Sequence, residues 1–284
     1  MRFAQLSNEL FCKPCLLTPQ LHQQISRIFM GHVTGDAHKQ GGCIDMFAMN
    51  EGNGRGKSKG VMEVVEDVAI IQVSGIITKR MDSFMKSCCG MHDIDDIEQA
   101  LREAEENPRV RGIFLYVDSP GGSVTGTPEC GKMVAETTKP VVAFTDTMMA
   151  SAGYWIPSGA DVIVATPSSE VGSIGVYMAV LDASRAYEMA GYDQLLFKDG
   201  KYKGAGYPGT ELTPEQSEHF QAEVMEISDW FKGAVTTHRI GVEAETMQGQ
   251  TFGGNEAMRR GLIDEVGDYD FAMNELRTLI EMNG

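Results

Sequence analysis

The sequence predicts an α/β domain built on a largely parallel sheet, and three observations carry that prediction. Short, almost wholly apolar runs at residues 68–73, 113–117, 141–144 and 162–165 have the length and composition of strands buried on both faces. Between them lie helical patterns, the clearest being Ile94, Ile97, Leu101 and Ala104 at helical spacing. Small-residue turns follow several of the runs: 118–123 reads Asp-Ser-Pro-Gly-Gly-Ser, 150–153 reads Ala-Ser-Ala-Gly, and 172–176 reads Gly-Ser-Ile-Gly-Val. Alternating strands and helices with such turns belong to α/β proteins.

Taken in order, the chain opens with an appendage. Leu16, Leu21, Ile25 and Ile28 recur at spacings of 5, 4 and 3, which predicts a short amphipathic helix over 19–30. Residues 49–60 carry glycine at 52, 54, 56 and 60 and no apolar residue after Met49, the composition of a flexible linker. The strand at 68–73 then opens the folded part. It is followed by the helix through Ile94 and Ala104, the strand at 113–117, a helix over 127–137, the strand at 141–144, a short apolar helix after Ala150 and the strand at 162–165. Residues 194–197 read as a further strand. Thr213-Pro214-Glu215-Gln216 marks a helix start: Thr213 can cap, Pro214 suits the first helical position, and Gln216 can close a capping box. That helix is expected to reach about His238, with Phe220, Trp230 and Phe231 as core or interface anchors.

A length of 284 residues suits one large domain, or one domain with an appendage. The net charge of −16 lacks the basic footprint of a protein that grips phosphate backbones, so no nucleic-acid partner is expected. No window approaches the roughly 18 apolar residues of a spanning helix, and no signal peptide or anchor is visible. The six cysteines are too few and too irregular for a disulfide framework, and a reducing cytosol is expected. Cys12 and Cys15 form one Cys-x-x-Cys, with Cys43, His22, His32 and His38 scattered beyond it. A structural zinc site normally shows two such pairs, so reduced thiols, no metal and no cofactor are expected.

The small-residue turns are where chemistry would gather, because open α/β sheets bind ligands beyond the carboxyl ends of their strands. Ser151 is flanked by Ala150, Ala152 and Gly153, so its hydroxyl would be approachable; a serine in such a stretch is equally a tightly packed helix start. The amide of Ala152, with one from the Gly121-Gly122 turn, could stabilise an oxyanion. A serine nucleophile needs a base. No histidine lies between His92 and His219, and His219 and His238 fall in the long helix, which disfavours a Ser-His-Asp triad. A lysine can serve if apolar surroundings keep it neutral. Lys198, Lys201 and Lys203 are candidates, Lys203 lying in a loop dominated by glycine and aromatics; each reads as well as a solvated surface lysine.

As a whole the pattern resembles the signal peptide peptidase A (protease IV) family of serine peptidases. The resemblance runs from about Val68 to Gly267. It rests on Asp118-Ser-Pro-Gly-Gly122, Met149-Ala-Ser-Ala-Gly-Tyr154, Val171-Gly-Ser-Ile-Gly-Val176, Gly200-Lys-Tyr-Lys203 and Gly261-Leu-Ile-Asp-Glu-Val-Gly267. It implies a single repeat of the ClpP/crotonase-like fold, with repeated β-β-α units and a long C-terminal helical region, over 61–284, preceded by an extension and linker over 1–60. It implies a Ser-Lys dyad of Ser151 and Lys203, an oxyanion hole of the Gly122 and Ala152 amides, and Ser173 as the residue that orients the lysine. The N-terminal segment, Phe11 to Gln20 with Leu21 and Ile25, looks like that of phage and prophage members, which act as prohead or capsid-assembly proteases. From this follow an expected scaffold or capsid substrate, a homo-oligomeric ring, and a place in the bacterial cytoplasm or inside the assembling prohead. Degradation of signal peptides or small peptides in the host, or an assembly module with weak or lost activity, are the alternatives.

Overall fold

Residues 14–17, 61–80 and 91–283 are described by a computed structural model. The helix expected over 19–30, the linker over 49–60 and four of the six cysteines lie outside these residues, as do His22, His32 and His38. The chain divides into two compact units. The larger comprises Leu16–Gly175 and Trp230–Gly284; the smaller comprises Met1–Cys15 and Val176–Asp229.

In the larger unit every run that reads as a strand is one. The strands β2 (Met62–Val65) and β3 (Val68–Thr78) form an antiparallel hairpin, and β3 pairs in parallel with β4 (Met91–Asp93) and with β5 (Gly112–Ser123). Next to β5 come β6 (Val141–Thr145), β8 (Val162–Ala165) and β11 (Glu265–Val266), all parallel. A second run of strands branches from the far end of β5 through β7 (Met148–Ala150) and β9 (Glu170–Gly172) to an antiparallel β10 (Thr251–Gly253). The chain therefore crosses between the two runs repeatedly: β5 does so by bending, β6 leads to β7, and β8 leads to β9. With α1 (Ile94–Glu106) after β3 and β4, α2 (Thr127–Glu136) after β5, and α3 (Ala152–Trp155) after β6 and β7, this is the repeated β-β-α, ClpP/crotonase-like order that the resemblance implies.

Local chemistry sets the elements. The Asp93 side chain accepts the Asp95 amide to cap α1, and the helix buries Ile94, Ile97, Leu101 and Ala104, the four residues whose spacing announced it. On the other face of the sheet, Ala272, Leu276 and Ile280 of α6 (Tyr269–Met282) pack on Val68, Phe114, Val142, Phe144 and Val164. Cys130 of α2 is fully buried, and burial pushes its thiol up to about 12, which leaves it a packing residue rather than a reactive one.

In the smaller unit Cys15 and Tyr177 exchange both backbone hydrogen bonds, at 2.8 and 3.3 Å. Burial, followed by the Cys15 thiol beside it, raises the Tyr177 phenol above its ordinary range. After α4 (Ser184–Met189) the chain is irregular. Residues 194–197 form no strand: Leu195 and Phe197 are 72 % and 91 % exposed, and among the described residues no neighbouring strand supplies the hydrogen bonds that such a segment needs. The helix α5 (Pro214–His238) starts where its capping box places it. Thr213 Oγ1 accepts the Gln216 amide at 3.2 Å, and Gln216 Oε1 accepts the Thr213 amide at 3.1 Å.

Candidate active site

Register brings the three turns of the larger unit together. Ser119 of β5 is opposite Met149 of β7, and Met149 and Ala150 are opposite Val171 and Gly172 of β9. The three strands are parallel, so Gly121 and Gly122, which the structure places within β5 just past Ser119, and Ser151 and Ser173, which directly follow β7 and β9, come at the same end of these strands, the end where α/β sheets place ligands.

Ser151 is the N-cap of α3, with φ 56° and ψ −120°, and is 1 % exposed. Its amide donates to the Gly172 carbonyl at 2.8 Å, and its carbonyl accepts the amides of Tyr154 and Trp155 at 2.9 and 2.8 Å. Its side chain makes no capping bond to the helix. A non-glycine residue held at such angles stores about 1–3 kcal/mol, and this kind of sharp strand-to-helix turn thrusts a serine hydroxyl away from its own backbone. Ser173, buried and at φ 52°, follows the next strand in the same way, its amide donating to the Gln250 carbonyl at 2.7 Å.

The neighbours hold this geometry. Tyr154 donates its hydroxyl to the Leu262 carbonyl at 2.6 Å, and burial raises its pKa. Trp155 stacks on Phe231 at 4.5 Å with rings 2° from parallel, so one of the expected aromatic anchors is a core residue, whereas Trp230 is half exposed. The Ser119 hydroxyl donates to the Gly75 carbonyl at 2.7 Å and accepts the Gly121 amide at 3.1 Å, which fixes the bend of β5 just before Gly122. Thr147 donates to Asp118 at 2.7 Å across the same strand ends. In the sequence Ser119 and Asp118 stand only as parts of a motif; a polar pair ahead of Pro-Gly-Gly is the signal that marks them as positioning residues.

Gly153 lets α3 approach β5, since a Cβ there would lie 2.8 Å from both the Cβ and the carbonyl oxygen of Ser119. Gly153→Ala is expected to destabilise the chain by about 1–3 kcal/mol, read as a lower denaturant midpoint. An unchanged midpoint would contradict the packing described.

Lys203 belongs to the smaller unit. Its amide donates to the Gly200 carbonyl at 3.3 Å, and its loop is tied to the start of α5, where the Gln216 side chain donates to the Lys201 carbonyl at 2.9 Å. Lys198 donates to the same carbonyl at 3.2 Å. Lys198, Lys201 and Lys203 are all exposed, and the ring of Tyr202 stands 4.6 Å from that of His219. Ser151, Ala152, Gly122 and Ser173 thus share one unit, with Lys203 in the other.

Known proteins share this sequence pattern. A putative protease of Methanocaldococcus jannaschii is 34 % identical over 188 residues, covering 64 % of this chain and 60 % of the relative. The capsid assembly protease C of Escherichia phage lambda is 27 % identical over 254 residues, covering 88 % and 57 %. A putative signal peptide peptidase SppA of Enterococcus faecium is 31 % identical over 183 residues, covering 62 % and 53 %. The chain spans little more than half the length of these relatives. Among the described residues, no helix is long and apolar enough to cross a membrane. The model of peptidase family S49 matches residues 134–283, more than half of the chain and the stretch that carries Ser151, Ser173 and Lys203, so the chain belongs to peptidase family S49.

Proposed function

We propose that the chain is a serine endopeptidase with Ser151 as nucleophile and Lys203 as general base, residues 61–284 forming its peptidase domain, and that it cleaves scaffold or capsid proteins during phage head maturation. The observation that carries this reading is the backbone of Ser151, buried and held at φ 56° and ψ −120° by hydrogen bonds on both sides while its side chain is spared from capping.

In the proposed reaction neutral Lys203 takes the Ser151 hydroxyl proton as Oγ attacks a peptide carbonyl. The amides of Gly122 and Ala152 hold the oxyanion, and Ser173 orients the lysine. The C–N bond then breaks, the leaving amine takes the proton from the lysine, and water hydrolyses the acyl-enzyme with the lysine again as base. A neutral lysine needs apolar cover. Lys203 is exposed in the single chain, so that cover comes from bound substrate and a second copy of the chain. A homo-oligomer is supported by large apolar side chains left in solvent, among them Met189 and Phe197 at 85 % and 91 % exposure.

The phage reading is supported by alignment with the lambda protein over 88 % of this chain, against 64 % and 62 % for the other two relatives. Its test is mass spectrometry of products after co-expression with the neighbouring gene products. Discrete cuts in a scaffold or capsid protein, absent with Ser151→Ala, are expected. Cleavage of casein but of none of those proteins would overturn the proposed substrate, and no cleavage at all would overturn the activity.

A further inference from the structure

Leu16 precedes the helix expected over 19–30 and lies in a strand. The strand β1 (Cys15–Leu17) pairs with β5, and the Leu16 side chain is fully buried. The contact falls at Gly121, whose φ is 105°. A Cβ on Gly121 would overlap the Leu16 carbonyl oxygen. It would also stand 3.0 Å from the Leu16 carbonyl carbon and 2.8 Å from Ser151 Cβ. The bare glycine therefore admits a second backbone to the bend of β5, and the carbonyl so admitted shares one small volume with the serine. Leu16, Gly121, Gly122 and Ser151 all belong to the larger unit.

An extended peptide that adds to an exposed strand edge gains main-chain hydrogen bonds, and a buried side chain fixes its register. A substrate must bring a peptide carbonyl to Ser151, and Leu16 brings one there. We propose that Leu16 and the backbone that carries it are a ligand of the Ser151 site held in cis: this backbone occupies the place of an extended substrate, the Leu16 side chain is its anchor, and it must leave before another peptide binds. The proposal rests on Ser151 being the nucleophile. It also names the competing ligand, an extended peptide with a branched aliphatic side chain at the position of Leu16.

The test uses the full chain with Leu16→Asp, which places a carboxylate where a leucine is buried, and with the milder Leu16→Ala. Each is compared with the parent for the rate at which a small alkyl fluorophosphonate labels Ser151 and for the KM of an extended peptide substrate. Burial of one leucine side chain corresponds to roughly 10- to 100-fold in such an equilibrium. Leu16→Asp is expected to speed labelling and lower KM about tenfold or more, and Leu16→Ala to do both by less, with kcat little changed. A synthetic peptide of residues 14–19 is expected to restore slow labelling to Leu16→Asp. Labelling at equal rates in all three chains, with thermal melts showing them folded, would overturn the cis ligand and leave the nucleophile standing. No labelling of Ser151 in any of them would overturn the nucleophile itself.

Discussion

Ser151→Ala is expected to lower peptide-bond cleavage by about 10³–10⁶-fold, the range seen when a serine peptidase loses its nucleophile but keeps its binding and oxyanion groups. The loss should fall on kcat with the fold intact. Ser151 contributes its backbone, not its side chain, to the bonds that hold β9 and α3 around it. Alanine at φ 56° carries the same backbone strain as serine, so the thermal melt should move little. Rates of product release with parent and variant at equal concentration provide the check. A variant that retains activity within a factor of a few would exclude Ser151 from bond making.

The second large effect is expected at Lys203. General bases contribute about 10²–10⁴-fold, so Lys203→Ala should lose activity on that scale. Lys201→Ala should not, although only one residue separates the two and both are exposed, because the Lys201 contribution to the loop is its backbone carbonyl, held by Gln216 and Lys198. Product release by the parent and the two variants at equal concentration is the check. Equal losses in the two variants would count against the dyad.

Much of this was legible in the residues, for physical reasons that differ by element. Strands buried on both faces are almost wholly apolar, so the runs at 68–73, 113–117, 141–144 and 162–165 marked the sheet within a few residues. β3 and β5 nevertheless extend further than their apolar runs, because bends at Gly75 and at Pro120-Gly121 carry them onward. A capping box is a local device, and Thr213 with Gln216 placed α5 to the residue. The second role of Gln216, holding the Lys201 carbonyl, depends on a loop fold that no spacing encodes.

The site was legible as residue types and illegible as geometry. Small side chains at 150–153 announced a tight turn, but the positive φ of Ser151 arises from the register of β7 against β9, a pairing between segments distant in sequence. Leu16 carries no strand signal of its own, because a three-residue strand is defined by its partner, not by its own pattern. Residues 194–197 failed in the opposite sense: an apolar stretch without a pairing edge does not become a strand.

That Ser151 is the nucleophile is tested most directly by intact-mass and peptide mapping after reaction with an alkyl fluorophosphonate, in which the Ser151 Oγ–P bond forms as fluoride leaves and the hydroxyl proton passes to the base. One adduct per chain, located on Ser151, absent from Ser151→Ala and slowed in Lys203→Ala but not in Lys201→Ala, is the result predicted. An adduct on another serine, or equal labelling of the Ser151→Ala chain, would contradict it.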